Sequence, residues 1–244
     1  MSFDETYFSS HAYRDVSFGR FSQYWWSNRF YAILARRAGR RQGRLLEVGS
    51  GLGHLAGRLE AHFETFAVDV NHWALVQSKA VVRRTPLSLA SAEDLPFASG
   101  VFDVVVLKHV VEHLPRPERA LAEAGRVLAP GGGLILSAPN LTSVARRWKK
   151  ERWVGYRDPT HISLKEPAEW LALLRAAGFE VRRVFSDGLW DAPYLPFVPK
   201  ILQKLVFGAP GGLQAVTGVT FLPLRWGETM IVVARRQPLP DLQP

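Results

Sequence analysis

The 244-residue chain contains no cysteine. That absence excludes a thiolate nucleophile, a disulfide, a cysteine-held zinc ion and a cysteine-ligated iron–sulfur cluster. Acid is scarce beside base, with 22 Asp and Glu against 31 Lys and Arg and a formal net charge of +9. No uninterrupted apolar run approaches the ~20 residues that a membrane-spanning helix needs. Met1-Ser2-Phe3-Asp4-Glu5 lacks the charged-then-apolar order of a secretory leader, so the expected location is cytoplasmic.

What is present reads as a globular chain. Hydrophobic residues make up 47% and charged residues 22%, enough for one large domain or one domain with an appended lobe. The excess base gathers at Arg36, Arg37, Arg40, Arg41 and Arg44, and again at Arg146, Arg147, Lys149, Lys150 and Arg152, with Trp148 and Trp153 interleaved. Such clusters suit a phosphate-rich partner, an anionic membrane face or simply a solvated surface.

Short apolar runs alternate with helical patterns, the mark of a doubly wound α/β fold. Strands are expected near Arg44–Val48, Thr65–Asp69, Leu87–Leu89, Val101–Leu107, Gly133–Ala138, Val181–Phe185 and Met230–Ala234, giving a mostly parallel, seven-stranded sheet. Helices are expected at Leu55–Ala61, Trp73–Val82, Pro117–Leu128 and Pro167–Ala176. Around a core of residues 41–185, completed by a last strand at 228–236 and a tail at 237–244, two segments stand apart. Residues 1–40 are rich in aromatics and are expected to pack over the ligand mouth. Residues 186–227, with a helical stretch from Phe197 to Phe207, are expected to form a substrate lid. In that stretch Val198, Ile201, Leu202 and Leu205 share one stripe, which fits packing on the core and membrane contact equally.

The most informative segment is Leu45-Leu46-Glu47-Val48-Gly49-Ser50-Gly51-Leu52-Gly53, followed by Asp69 at the end of the next apolar run. Glycines permit φ > 0 and bring a ligand against bare backbone. The helix opening near Gly53 aims its unpaired N–H groups and positive dipole end into the same space. Asp69, 20 positions after Gly49, stands where a carboxylate can accept both hydroxyls of a ribose. A dinucleotide fingerprint would require glycine where His54 stands, and Glu47 would repel a pyrophosphate. A nucleoside ligand carrying a cation fits better.

This pattern resembles the glycine-rich motif of the class I S-adenosylmethionine (SAM)-dependent methyltransferases, in particular the small-molecule, ubiquinone-biosynthesis-like branch. Four further stretches match in order: Ser91-Ala92-Glu93-Asp94-Leu95-Pro96-Phe97, Phe102–Leu107, Leu128–Ile135, and Asp158-Pro159-Thr160-His161 followed by Ala177-Gly178-Phe179. The resemblance covers most of 43–185 and implies a Rossmann-like fold with SAM as cofactor and S-adenosylhomocysteine as product. It assigns the cofactor to Glu47, Gly49, Ser50, Gly51, Gly53, Asp69, Val70, Ala92, Glu93, Asp94, Leu95 and Lys108. The family usually has an acid where Ser91 stands, so Glu93 or Asp94 would meet the adenine amino group instead.

An oxygen acceptor must lose a proton, and histidine suits that task near neutral pH. His161, with Asp158 to orient it, ranks first and His109 second. His109-x-x-Glu112-His113 also resembles the Glu-x-x-Glu-His stretch of ubiquinone-pathway O-methyltransferases, for which a divalent metal is implied. Histidine replaces the first acid here, and no metal is expected. The acceptor is expected to be a small apolar, aromatic or anionic molecule, methylated most readily on oxygen. Nucleic acid is disfavoured, because the Asn/Asp-Pro-Pro-aromatic motif and the cysteine of the common base-methylating routes are both missing. An RNA or protein methyltransferase and a non-catalytic SAM-binding protein are the alternatives. Peripheral membrane contact and a monomer or homodimer are compatible with the chain.

Overall fold

The computed structural model describes residues 17–39 and 42–237. Tyr7, Phe8 and Tyr13 of the aromatic segment, Arg40 and Arg41 of the first basic cluster, and the tail beyond residue 237 lie outside them. The element order is α1 (Gln23–Ala38), β1 (Arg44–Val48), α2 (His54–Leu59), β2 (Glu64–Asp69), α3 (His72–Ser78), β3 (Leu87–Leu89), β4 (Phe102–Lys108), α4 (Pro117–Val127), β5 (Leu128–Pro139), α5 (Val144–Lys149), α6 (Val154–Arg157), α7 (Pro167–Ala176), β6 (Phe179–Ser186), α8 (Lys200–Thr217) and β7 (Thr229–Arg236).

The seven strands form one sheet in the order β3-β2-β1-β4-β5-β7-β6, with only β7 antiparallel to its neighbours. Strand order reverses between β1 and β4, so a crevice opens at their carboxyl ends, where ligands of such sheets bind. Val104–Leu107 is fully buried because both sheet faces are covered. Val105 and Leu107 face a core with Leu121, Ala124, Trp170 and Leu174 of α4 and α7. Val104 and Val106 face the other core, with Phe30 and Leu34 of α1 and Leu55 and Leu59 of α2.

Local chemistry sets the element ends. Ser22 caps α1 by accepting from the Trp25 N–H at 3.1 Å. Pro117 opens α4, and Glu166 with Glu169 forms a capping box on α7.

Most expected boundaries shift by one to four residues, and two move further. Strand β5 begins at Leu128, not Gly133, because Leu128 pairs with Phe102 and Gly133 with Val104, leaving Ala129–Gly132 to bulge opposite Asp103 alone. The helix expected to end at Phe207 runs from Lys200 to Thr217, straight through Pro210, Gly211 and Gly212. The reason is close packing. A Cβ on Gly211 would stand 2.5 Å from the Asp187 carbonyl oxygen, so this glycine lets the helix touch the loop after β6 and does not break it.

Candidate active site

Strand β1 delivers Glu47 to the crevice and then turns through Gly49, Gly51 and Gly53, all at positive φ. Protein fills the space beside two of these glycines. A Cβ at Gly49 would meet Val110 Cγ2 at 2.4 Å, and one at Gly53 would meet Ser78 Cβ at 2.7 Å. Asp69 closes β2 and pins the loop: one carboxylate oxygen accepts from the Gly51 N–H at 2.7 Å and the other from the Asn71 N–H at 2.8 Å. Burial raises the Asp69 carboxyl above its ordinary range despite these N–H groups. Each oxygen keeps a lone pair for a ligand hydroxyl. Val70, the next residue, leaves its apolar side chain exposed at the crevice.

Glu47 is buried, and burial pushes its carboxyl up to about 8, against the opposing pull of the Lys108 ammonium and the Ala56 N–H. Its Oε2 has no hydrogen-bond partner, and neither has the buried Ser50 Oγ. An unpaired carboxyl oxygen buried at the end of a strand is costly unless a donor arrives. Lys108 ends β4 with its Nζ 2.7 Å from Asn28 Oδ1 and over the rings of Tyr24 and Tyr31, at 4.8 and 4.9 Å. Burial pulls that ammonium down to about 8. Helix α1 therefore reaches the crevice through Asn28, a contact the sequence pattern did not reveal, since Asn28 sits inside an aromatic helix. Phe18 stacks on His54 at the start of α2.

The Ala92–Leu95 turn divides its roles. The Glu93 carboxylate pairs with Arg116 at 2.8 Å and also accepts the Arg116 N–H, so it is already engaged, whereas Asp94 is exposed. Leu95 packs in the core with its N–H on Glu123, and Ala92 is buried.

Just past β4, His109 adopts φ +55°. Its Nδ1 lies 2.9 Å from Glu112 Oε1, and its Nε2 is 3.5 Å from Thr229 Oγ1 at the start of β7. Glu112 is wholly buried; burial pushes its carboxyl up, but the His109 hydrogen bond and the nearby histidines outweigh this and hold it below its ordinary range. Asp187 lies where β6 ends, on the same sheet edge, and burial pushes its carboxyl up to about 6. It accepts from the Thr229 N–H at 2.9 Å and from Trp190 Nε1 at 2.6 Å. An acid directly after a strand and before a glycine was the signal that could have marked Asp187.

His161 is placed differently. Its Nδ1 is 2.7 Å from the Gly155 carbonyl oxygen, and its ring lies against His113, 4.8 Å between centroids. Asp158 accepts from the Thr160 N–H and hydroxyl at 2.9 and 2.6 Å, and stands 3.9 Å from His161 Nε2. The carbonyl of Gly155 orients the ring more closely than Asp158 does. The His161 side chain is 11% exposed, against 36% for His109. Glu112, His113 and His161, rather than His109, Glu112 and His113, bring metal-capable atoms within 4.8 Å of one another.

This crevice, with an unpaired acid beside a glycine loop and an acid at the end of the second strand, suits a nucleoside ligand that carries a cation. Residues 22–184 match the family model described as a methyltransferase domain. The chain is 33% identical over 200 residues to a malonyl-[acyl-carrier protein] O-methyltransferase of Geobacter sulfurreducens, covering 77% of this chain and 74% of that protein. It is 33% identical over 123 residues to the ubiquinone/menaquinone biosynthesis C-methyltransferase UbiE of Rhizobium meliloti, covering 46% of each. The solved structure of a SAM-dependent methyltransferase from Archaeoglobus fulgidus superposes with TM-score 0.59 at 19% identity, over 85% of this chain and 94% of that one. The protein belongs to the SAM-dependent methyltransferase family, and its cofactor is SAM. The residues present fit that cofactor: the unpartnered Glu47 Oε2 suits an ammonium, and the Asp69 oxygens suit hydroxyls.

Proposed function

We propose that this methyltransferase acts on a hydroxyl of a small molecule, apolar or aromatic in its body, with His109 as the base that removes the hydroxyl proton. One observation carries the reading: a buried carboxylate, Glu112, holds Nδ1 of His109, while Nε2 of this one-third-exposed ring makes only a long 3.5 Å contact with Thr229 Oγ1. A base oriented by an acid in this way serves proton transfer within hydrogen-bond reach.

Glu47 and Ser50 would hold the amino-acid end of the cofactor, Asp69 its ribose hydroxyls, and Val70 and Asp94 its adenine. Bound SAM supplies a methyl already activated by its sulfonium. The chain then has to position the acceptor and take up one proton. His109 takes that proton on Nε2, with Glu112 holding Nδ1 on the other side of the ring. His161 supports the wall behind Glu112 and His113. The malonyl-[acyl-carrier protein] O-methyltransferase supports an oxygen acceptor, whereas UbiE is named for carbon methylation.

The test is labelled SAM with a cell extract, followed by separation of small organic molecules, RNA and protein. Label in the organic fraction, lost with His109→Ala, is the expected result. Label in RNA or protein, or none at all, would sink the reading.

A further inference from the structure

Helix α8 is built inside out. Its inward face carries Gln203 and Gln214, each 1% exposed, while Ile201 is 67% and Leu205 65% exposed. The buried glutamines are fully used. Gln203 Oε1 accepts from the Tyr194 and Leu195 N–H groups, and its Nε2 donates to the Leu195 and Val198 carbonyls. Gln214 bridges the Ser186 carbonyl and the Phe221 and Leu222 N–H groups. Arg29 of α1 fixes the far end by donating to the carbonyls of Ala215 and Val216 at 2.9 and 2.7 Å. The helix is therefore tied down by polar groups, with Phe207 and Ala215 adding apolar contacts to the core, and its stripe of Ile201, Leu202 and Leu205 is turned outward. Packing on the core, one of the two readings of that stripe, is not what the structure contains: Ile201, Leu202 and Leu205 are all exposed, as are Phe197 and Val206.

The charge around the stripe selects its occupant. From Ala192 to Gly227 the chain has no Asp or Glu, and its charged residues are Lys200, Lys204 and Arg225. Trp148 joins a second basic stretch to this helix, lying 6.0 Å from Tyr194 and 6.2 Å from Phe207 between centroids. That stretch exposes Arg147, Lys150 and Arg152. A second copy of the chain would set lysines against lysines across a symmetric contact. Apolar side chains on a segment free of acid, beside a basic stretch whose one acid is Glu151, fit the interface of an anionic bilayer, where the stripe enters the acyl boundary and the lysines meet headgroups. No helix among the described residues is long and apolar enough to cross a membrane, so α8 would lie in the interface plane.

We propose that the outward face of α8, with Lys200, Lys204 and the Arg147–Arg152 stretch, docks this enzyme on anionic lipid membranes. The test is co-sedimentation of the full chain with phosphatidylcholine vesicles containing phosphatidylglycerol, against vesicles of phosphatidylcholine alone, at low and high salt. The wild-type protein should pellet with the anionic vesicles at low salt and much less with the neutral ones or at high salt. Ile201→Glu with Leu205→Glu should lower vesicle binding at least tenfold, and Lys200→Glu with Lys204→Glu should also weaken it. Calorimetric affinity for S-adenosylhomocysteine should stay unchanged in both pairs, which shows that they fold. Wild-type protein that stays in the supernatant at low salt, or apolar-face variants that pellet like wild type, would overturn the proposal. So would a dimer in sedimentation velocity that Ile201→Glu with Leu205→Glu dissolves while vesicle binding is absent.

Discussion

Asp69 Oδ2 accepts the Gly51 N–H at 2.7 Å across the mouth of the crevice. The acid expected to hold a ribose is therefore also the clamp that shapes the loop beside it. Losing a charge-assisted hydrogen bond costs roughly 1.5–3 kcal/mol, so Asp69→Ala should weaken S-adenosylhomocysteine binding by about ten- to a hundredfold. Because the Gly51 and Asn71 N–H groups lose their acceptor too, the melting temperature should fall in the ligand-free protein. Calorimetry and a thermal melt on the same variant check both effects. Normal affinity with a lowered melting temperature would leave Asp69 only its role in the loop.

Gly49 faces Val110, not open space, and its φ is +73°. Gly49→Ala should destabilise the fold by about 2–4 kcal/mol, from overpacking plus a left-handed residue with a Cβ. Val110→Ala in the same chain should recover part of that loss, since it removes the clash and leaves the φ cost. Urea unfolding of the single and double variants measures it. A double variant no better than the single would place the whole cost in the backbone.

The strands, the glycine loop and Asp69 were legible because each leaves a local mark: β-branched runs such as Val104–Val106, glycine at alternate positions, an acid closing an apolar run. What was not legible depends on distant partners. Nothing in Gln23–Ala38 announces that Asn28 will meet Lys108, 80 residues away. Helix α8 was cut short because glycine and proline read as breakers, whereas Gly211 is needed for contact with the Asp187 carbonyl. His161 drew attention through its neighbour Asp158, but the acid turns to Thr160. The carboxylate that meets a histidine closely is Glu112, three residues from His109 in a motif the sequence did display, but nothing local says which histidine it holds.

That contact leads to a test that separates the two histidines. His109→Ala should lower kcat by about 10²–10⁴-fold with little change in S-adenosylhomocysteine affinity. His161→Ala should leave kcat within about tenfold and act mainly on stability, because its ring fills a site against His113 and Gly155. Steady-state kinetics on the identified acceptor, paired with calorimetry, reads both. The reverse order of effects would return the base to His161.

Glu47 should make cofactor binding depend on pH. Its carboxyl, pushed up to about 8 by burial, is mostly protonated at pH 7 in the free protein, whereas an ammonium ligand favours the carboxylate. Binding should therefore release a proton. Affinity for S-adenosylhomocysteine should rise between pH 6 and 8, by up to about tenfold per unit. Calorimetry in buffers of different ionisation enthalpy counts the proton, and Glu47→Gln should abolish the release. A flat affinity over that range would show that Glu47 does not meet the cation.

Glu228 gives the fold a pH dependence of its own. It is buried at the start of β7, where Trp153 Nε1 and Tyr194 Oη both donate to it at 2.6 Å, tying the loop before α8 to the sheet. Burial raises this carboxyl from its ordinary 4.5 to about 7, and the two donors only partly offset that. The folded protein thus keeps a proton that the unfolded chain releases. The stabilisation is complete below about 4.5, declines as pH rises and is gone above about 7. At about 1.4 kcal/mol per unit, the swing is roughly 3–4 kcal/mol. Asp187, also raised, to about 6, adds to it with the same sign. These two carboxyls should therefore lower the melting temperature from pH 5 to pH 8, against the opposite pull of His54, His62 and His113, whose imidazoles burial holds low. In Glu228→Gln, which cannot titrate and still offers a carbonyl to Trp153, the fall should be shallower. Scanning calorimetry across that range decides it, and parallel curves for the two proteins would mean that Glu228 stays ionised in the fold.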